Sequence, residues 1–148
     1  MTDSFAAANG RKVVSRTSAE ELGKVTHIVV DVERRKVELL VVGKGRNARL
    51  VEWDDVSGFG PDAVMVADDS TLAAPHDDRG RAAADGQLDL LGKHALSDAG
   101  NDIGPVTDVV FDPATGAIET LVLRESEEPA TSLLAAGSFA AVVRAPAD

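Results

Sequence analysis

Residues 21–31 read ELGKVTHIVVD, and residues 102–112 read DIGPVTDVVFD, which aligns with the first stretch without a gap. The offset from Gly23 to Gly104 is 81 residues, and the same offset relates VE at 37–38 to IE at 118–119. A repeat that stays in register over this length indicates a duplicated structural unit. The repeated positions are mostly apolar residues, glycines and turn residues, so they predict an architecture rather than a chemistry.

The length of 148 residues suits two small domains of roughly 65 to 75 residues each. Domains of this size bury little surface, and the chain has no cysteine to supply a disulfide or a thiolate metal site. We therefore expect the two units to pack on each other or to oligomerise. The predicted organisation is a disordered N-terminus at 1–9, a first repeat at 10–72, a flexible linker at 73–86 and a more divergent second repeat at 87–148.

Short apolar runs separated by turn residues predict β-strands in both repeats. The predicted strands of the first repeat lie near residues 13–14, 24–31, 36–42, 48–53, 56–59 and 63–67. Those of the second lie near residues 91–95, 106–112, 117–123, 133–134 and 141–143. The alignment places 133–134 near 51–53 and 142 opposite 64, an offset of 78. The sequence predicts an all-β fold of two small antiparallel barrels.

The long strand of each repeat is apolar on both of its faces, which is typical of strands that are covered on both sides. We therefore predict that the repeats pack outer face to outer face as an internal pseudo-dimer. The side chains expected in that contact are Val25, Val29, Val106 and Val110.

The formal net charge of −10 is unevenly distributed. Residues 1–74 carry 10 basic and 12 acidic side chains, whereas residues 75–148 carry 5 and 13. An acidic surface repels nucleic acid and anionic lipid, so these partners are disfavoured. There is no apolar run of the roughly 20 residues needed to cross a bilayer and no recognisable signal peptide, so we expect no membrane association and a cytoplasmic location.

The order of motifs resembles one known family. A polar turn leads into LGKVTHIVVD, a hairpin, LLVV, LVEWDDV and AVMV. This order is similar to that of the PRC-barrel family, named for the cytoplasmic domain of the photosynthetic reaction centre H subunit and including the C-terminal domain of the ribosome maturation factor. The resemblance covers nearly all of residues 10–70 and, more weakly, 88–145.

The resemblance implies a small, strongly bent antiparallel β-barrel that serves as an adaptor or assembly module without catalytic activity. Family members commonly have a proline before the residue that matches Trp53, where this chain has Glu52. We expect no catalytic residue, no cofactor and no metal site.

Two basic turns and the single tryptophan of the first repeat are the candidate partner-binding residues. The two turns are separated by the third strand, roughly 25 Å at about 3.3 Å per residue, so we do not expect them to form one patch. The candidates are Arg34, Arg35, Lys36, Lys44, Arg46, Arg49 and Trp53.

The remaining repeated residues are predicted to shape the backbone. Gly23 and Gly104 suit a close approach or an unusual backbone angle, and Gly116 suits the end of a hairpin turn. Asp31 and Asp112 are predicted to accept turn hydrogen bonds, with a paired-carboxylate site as the alternative. His27, which has no partner at metal spacing, is predicted to be wet.

Taken together, the sequence favours a non-enzymatic adaptor or scaffold that binds another protein or a second copy of itself. An RNA- or ribosome-associated assembly factor is the alternative, because of the ribosome-maturation relatives and the basic turns. A second alternative is small-ligand binding in the groove between the repeats.

Overall fold

The computed structural model describes residues 2–144, and within them the strands form two sheets. The strands up to the end of the first repeat are β1 (Asp3–Ser4), β2 (Lys12–Ser15), β3 (Glu21–Asp31), β4 (Lys36–Val42), β5 (Arg49–Glu52), β6 (Val56–Phe59) and β7 (Ala63–Val66). Those of the second are β8 (His94–Ser97), β9 (Asp102–Phe111), β10 (Ile118–Leu123), β11 (Glu127–Pro129), β12 (Leu133–Ala136) and β13 (Ala141–Val143). Short helices are α1 (Phe5–Ala8) and α2 (Asp78–Ala84). The all-β prediction is confirmed.

Both sheets follow the same path, β5-β4-β3-β2-β7-β6 in the first repeat and β11-β10-β9-β8-β13-β12 in the second. β2 runs parallel to β7, and β8 runs parallel to β13, so the prediction of purely antiparallel barrels is wrong. The cause is the connection between β5 and β6, and between β11 and β12. It is a turn of 3-10 helix rather than a hairpin, and it carries the chain to the opposite edge of the sheet.

The strand register corrects the alignment of the second half of each repeat. Leu40 pairs with Val51, and Leu121 pairs with Glu128, so the offset falls from 81 before the turn to 77 after it. Four residues are therefore absent from the turn between β10 and β11. Leu133 corresponds to Val56 and not to residues 51–53, because both begin the strand that pairs with the last one.

The N-terminal segment is ordered from residue 2, so the prediction of disorder at 1–9 is wrong for the residues described. β1 pairs antiparallel with β9 of the second repeat. The Ser4 hydroxyl caps α1 by accepting a hydrogen bond from the Ala7 N–H at 3.1 Å. Phe5 is buried and meets Phe111 edge to face, with ring centroids 5.3 Å apart. The small, polar composition misled the prediction because the second repeat supplies the apolar surface.

The segment between the repeats contains a packed helix, so the prediction of a flexible linker at 73–86 is also wrong. The Asp77 carboxylate caps α2 by accepting a hydrogen bond from the Gly80 N–H at 2.7 Å. Ala83 is fully buried in a cluster with Val29 on the outer face of the first sheet. The alanine-rich stretch is ordered because its small side chains let the helix lie close to the sheet.

The segments that lead into the two repeats exchange partners. α1 and β1 lead into the first repeat but pack on β9 of the second. The segment that leads into β8 packs on β3 of the first repeat, where a Cβ on Gly86 would lie 2.8 Å from His27 Cε1. Each long strand is therefore covered by the segment that leads into the other repeat.

The hairpins that follow the two long strands meet through a pair of equivalent hydrogen bonds. The Val37 N–H donates to the Gly116 carbonyl at 2.9 Å, and the Ile118 N–H donates to the Arg35 carbonyl at 2.8 Å. An offset of 81 residues converts each bond into the other. The two hairpins are thus related by a local two-fold.

Between these bonds, Lys36 forms an antiparallel bridge with Ala117, its own counterpart in the second repeat. A bridge between two equivalent residues lies on the local two-fold. Because the bridge is antiparallel, β4 and β10 leave it in opposite directions.

A single cluster of buried side chains contains residues from both repeats. Its aromatic members include Phe5 and Phe111, and the latter also meets Phe59 at a centroid distance of 5.4 Å and Trp53 at 6.4 Å. The fifth aromatic residue of the chain, Phe139, lies outside the cluster. The repeats therefore share one core.

The valines predicted to join the outer faces have different surroundings. Val25 and Val106 are buried in the shared cluster. Val29 is buried beneath α2, and Val110 is half-buried opposite Ser4 of β1. Direct packing of one outer face on the other is therefore wrong for Val29 and Val110, because the leading segments cover these positions.

Candidate interaction surfaces

The first repeat has a group of exposed cations that we call the basic end, formed by Lys12, Lys24, Lys44, Arg46 and Arg49. Three of them lie in or beside the turn between β4 and β5. Among residues 2–144, these three form no ion pair and no side-chain hydrogen bond. Their charges are available to a partner.

Lys12 and Lys24 were not among the cations predicted to bind a partner. Lys12 stands directly opposite Lys24 in the β2–β3 pair, and the Gly43 N–H, next to Lys44, donates to the Lys24 carbonyl at 3.0 Å. Like charges directly opposite each other destabilise a sheet. The Glu21 carboxylate, 4.0 Å from Lys12 Nζ, offsets part of this repulsion. Only the register between β2 and β3 reveals that these two lysines are neighbours, because the sequence of either strand alone does not show it.

A groove of about 620 Å³ runs beside the basic end. Arg46 and Arg49 contribute to its lining, together with Gly23 in β3. A Cβ on Gly23 would lie 2.7 Å from Val42 Cγ1, so this glycine permits the close approach that the sequence predicted. A Cβ on Gly104, its counterpart, would lie 4.0 Å from Arg124 Cβ without a clash, but the φ of +97° favours glycine.

Two of the three cations of the other basic turn, Arg35 and Lys36, lie at the contact between the repeats. Arg35 Nε donates to the Ala130 carbonyl at 3.0 Å, and its Nη2 donates to the Thr131 carbonyl at 3.3 Å. Lys36 is half-buried at the bridge, while Arg34 is exposed. The structure does not bring these three residues into the basic end.

Trp53 is half-buried between the repeats. Its ring lies 5.6 Å from that of Phe59 and also contacts Phe111 across the repeat boundary. Gly116 lies against the indole, since a Cβ there would be 2.8 Å from Trp53 Cε2. Trp53 and Pro113 line a shallow groove of about 300 Å³. The indole therefore packs between the repeats and leaves little surface for a partner.

The second repeat has acidic side chains at the place equivalent to the basic end, and we call Asp102, Glu125, Glu127 and Glu128 the acidic end. The turn between β10 and β11 lacks the positions equivalent to 44–47, and Glu125 and Glu127 are exposed there. Among the described residues, Glu125, Glu127 and Glu128 form no ion pair. Arg124 is exposed in the same turn, so one cation lies among these four carboxylates, and the net charge there is negative where that of the basic end is positive.

The hairpin of β12 and β13 carries no charged side chain from residue 133 to 143. Phe139, in its turn, is 86% exposed, and Leu134 is 38% exposed. The Gly137 N–H donates to the Ala140 carbonyl at 3.0 Å and closes the turn. We call this element the apolar hairpin.

His27 is partly exposed, as the sequence predicted, but it also has a partner that the sequence does not reveal. Its Nδ1 lies 2.6 Å from Asp89 Oδ2, and Lys93 is a further charge near the pair. Burial raises the pKa of the Asp89 carboxyl, although His27 and Lys93 act in the opposite direction. The pair borders a cavity of about 230 Å³, lined by Phe5, Asn9, Val25, Thr26, His27, Ile28, Asp89 and Leu91. The pair ties the segment before β8 to the first repeat.

The two aspartates at the ends of the long strands accept hydrogen bonds within their own turns. Asp31 Oδ1 accepts a hydrogen bond from the Arg34 N–H at 3.3 Å, and Asp112 Oδ1 accepts one from the Ala114 N–H at 2.9 Å. Gly116 ends the second turn at a φ of +81°. These contacts give both carboxylates a turn role.

The family model of the PRC-barrel domain matches residues 5–72 and again residues 87–140. The chain belongs to the PRC-barrel family. This finding confirms the resemblance seen in the sequence, with two tandem copies. No curated protein sequence matches the chain. Each match begins within the segment that crosses to the other repeat, so the first match includes α1 but not β1, and the second begins after α2.

Within residues 2–144, no group of three or more His, Asp or Glu side chains is placed to hold a metal ion. In the same part of the chain, no helix has the length and apolar character to cross a membrane. The PRC-barrel repeats thus offer three candidate interaction surfaces, which are the basic end, the acidic end and the apolar hairpin.

Proposed function

We propose that this PRC-barrel protein is a non-enzymatic scaffold that binds another protein, and that its repeats form an internal pseudo-dimer. The paired hydrogen bonds between the hairpins and the exchange of leading segments support the pseudo-dimer. This packing leaves the basic end, the acidic end and the apolar hairpin exposed for a partner. A cytoplasmic location stays a prediction.

Phe139 is the observation that carries the scaffold role. Four of the five aromatic residues lie in the shared cluster or pack against it, whereas Phe139 projects from an uncharged hairpin with 86% of its surface exposed. Burying a phenylalanine side chain contributes about 1.5–3 kcal/mol, and well-packed anchors dominate the energy of protein interfaces. The partner should therefore have an apolar pocket with few charges around it.

Replacing Phe139 with serine tests this role. Proteins captured from an extract of the source organism by the wild-type chain and by F139S would be compared by quantitative mass spectrometry. We expect at least one partner to be captured about 10-fold less by F139S, which corresponds to a loss of about 1.4 kcal/mol. S138A, changed at the neighbouring exposed position, is the matched control. Identical capture by all three proteins would contradict the proposal.

The basic end favours a second function, that of an RNA- or ribosome-associated assembly factor. Its cations could neutralise phosphates, although the net charge of −10 opposes binding at long range. Binding of a labelled structured RNA should then weaken with salt, and K44Q/R46Q/R49Q should lower the slope of log K against log salt by about 2–3. RNA binding with no salt dependence would contradict this function.

The cavity beside His27 and Asp89 favours a third function, binding of a small ligand between the repeats. At about 230 Å³ it is smaller than the roughly 300–1,000 Å³ of typical ligand pockets, so it suits a molecule of few atoms. A ligand that binds there should raise Tm, because binding to the folded state stabilises it. A library of small metabolites that leaves Tm unchanged would contradict this function.

A further inference from the structure

The two ends of the molecule carry net charges of opposite sign at equivalent places, although Lys12 lies 4.0 Å from Glu21 and His94 lies 3.3 Å from Asp102. At the basic end, Arg49 is the first residue of β5, whereas its counterpart next to β11 is Ser126. Leu50 is likewise replaced by Glu127. In the second repeat the cationic turn is therefore shortened by four residues, and the strand after it begins with acidic side chains.

The register places these two surfaces on opposite sides of the molecule. β4 runs from Lys36 towards the basic end, and β10 runs from Ile118 towards the acidic end. The two strands leave the antiparallel Lys36–Ala117 bridge in opposite directions. At about 3.3 Å per residue each turn lies roughly 20 Å from the bridge, so the two ends are roughly 40 Å apart. They cannot neutralise each other within one chain.

We propose that the basic end of one chain binds the acidic end of a second copy. The contact joins two different surfaces, so each bound copy leaves one basic and one acidic end free and the assembly grows head to tail. Both ends are exposed to solvent. An ion pair between two copies therefore contributes little individually and is screened by salt. The assembly is therefore concentration-dependent and dissolves in salt.

Each copy has an overall charge of −10, so two copies repel each other at long range. This repulsion matters only at low ionic strength. At about 0.15 M salt the Debye length is about 8 Å, much shorter than the molecule, so the local pairs decide the contact. The apolar hairpin takes no part in it. Failure of this inference leaves the scaffold role of Phe139 untouched, and F139S should associate as the wild type does.

Sedimentation velocity of the full chain tests the inference with neutralising variants. K44Q/R46Q/R49Q removes the three cations of the basic end that form no ion pair, and E125Q/E127Q removes two of the four carboxylates of the acidic end. R34Q and E119Q, changed at exposed charges elsewhere on the same repeats, are the matched controls.

We expect the mean sedimentation coefficient of the wild type and of the controls to rise between about 10 μM and about 1 mM protein, the range of weak complexes. The rise should disappear in about 1 M salt, where the Debye length is about 3 Å. Each neutralised variant alone should remain monomeric. An equimolar mixture of the two variants should form a dimer and nothing larger, because it retains a single pair of intact ends.

A wild type that stays monomeric throughout would overturn the inference, and so would association of either neutralised variant alone. Stronger association of E125Q/E127Q than of the wild type would also overturn it. That result would show that the glutamates guard the edge strand β11 against pairing, as charges on edge strands commonly do.

Discussion

The two repeats share their buried positions and differ at their free ends. Ser15 and Ser97 are the last residues of the equivalent strands β2 and β8, and both are buried. Each hydroxyl accepts a hydrogen bond from a backbone N–H of the turn that follows. The exposed turn between β4 and β5 corresponds to the turn between β10 and β11. There Arg49 is replaced by Ser126, and four residues are absent from the second turn. Buried positions are thus similar in the two repeats because packing constrains them. Exposed turns are not constrained in this way and differ in charge.

Where the repeats touch, their differences are complementary. Trp53 of the first repeat lies on Gly116 of the second. The counterparts of these residues are Ala130 and Arg35, and there the long side chain of Arg35 reaches the carbonyl of small Ala130. A large residue meets a small one in both contacts, but the large residue is supplied by the first repeat each time. The first repeat is therefore the bulky partner in this interface.

The largest effect is expected from Phe5, which links the leading segment of the first repeat to the core of the second. Phe5→Ala should lower the free energy of unfolding by about 3–5 kcal/mol because it leaves a cavity beside Phe111. The same change at exposed Phe139 should stay within about 0.5 kcal/mol. Urea denaturation measures both. A loss at Phe5 as small as that at Phe139 would mean that the leading segment does not dock.

A smaller effect is expected at Gly116, which combines a φ of +81° with contact against Trp53. Gly116→Ala should cost about 1–2 kcal/mol for the backbone and about 1–3 kcal/mol more for overpacking. Gly100 has a φ of +89° and no atom within 4 Å of a Cβ, so Gly100→Ala should show the backbone cost alone. Equal losses in urea denaturation would show that Trp53 does not press on Gly116.

The smallest effect is expected at Asp89, and it depends on pH. Burial raises the pKa of Asp89 in the folded chain, so the folded state gains most when this carboxyl is protonated. That contribution is present below the unfolded pKa of about 4 and is lost as pH rises through the folded value. Asp89→Asn, neutral throughout, should therefore raise Tm relative to the wild type more at pH 7 than at pH 3. Asp62→Asn, at an exposed site, is the control, and an equal difference at both pH values would contradict the assignment.

The strands of the first repeat were predictable because their signals are local. The predicted strands at 36–42 and 56–59 coincide with β4 and β6, since apolar runs and turn residues mark their ends. The second repeat was harder beyond β10, where the shortened turn shifts the offset to 77 and a simple alignment slips. Repeat symmetry predicted the architecture better than it predicted register.

The ordered leading segments and the His27–Asp89 pair could not be predicted, because their partners are distant in sequence. Phe5 is ordered by a residue of the other repeat, and His27 is paired across 62 positions. The basic end was found only in part, because Lys12 and Lys24 come together through strand pairing. Long-range contacts of this kind leave no periodicity in the sequence.

The central claim is that the two PRC-barrel repeats fold as one unit with a shared core, and differential scanning calorimetry of the full chain tests it most directly. We expect a single transition whose calorimetric and van't Hoff enthalpies agree at about 100 kcal/mol, from about 0.7 kcal/mol per residue. Phe5→Ala should move that whole transition to lower temperature. Two separate transitions, or a shift of one part alone, would contradict the claim.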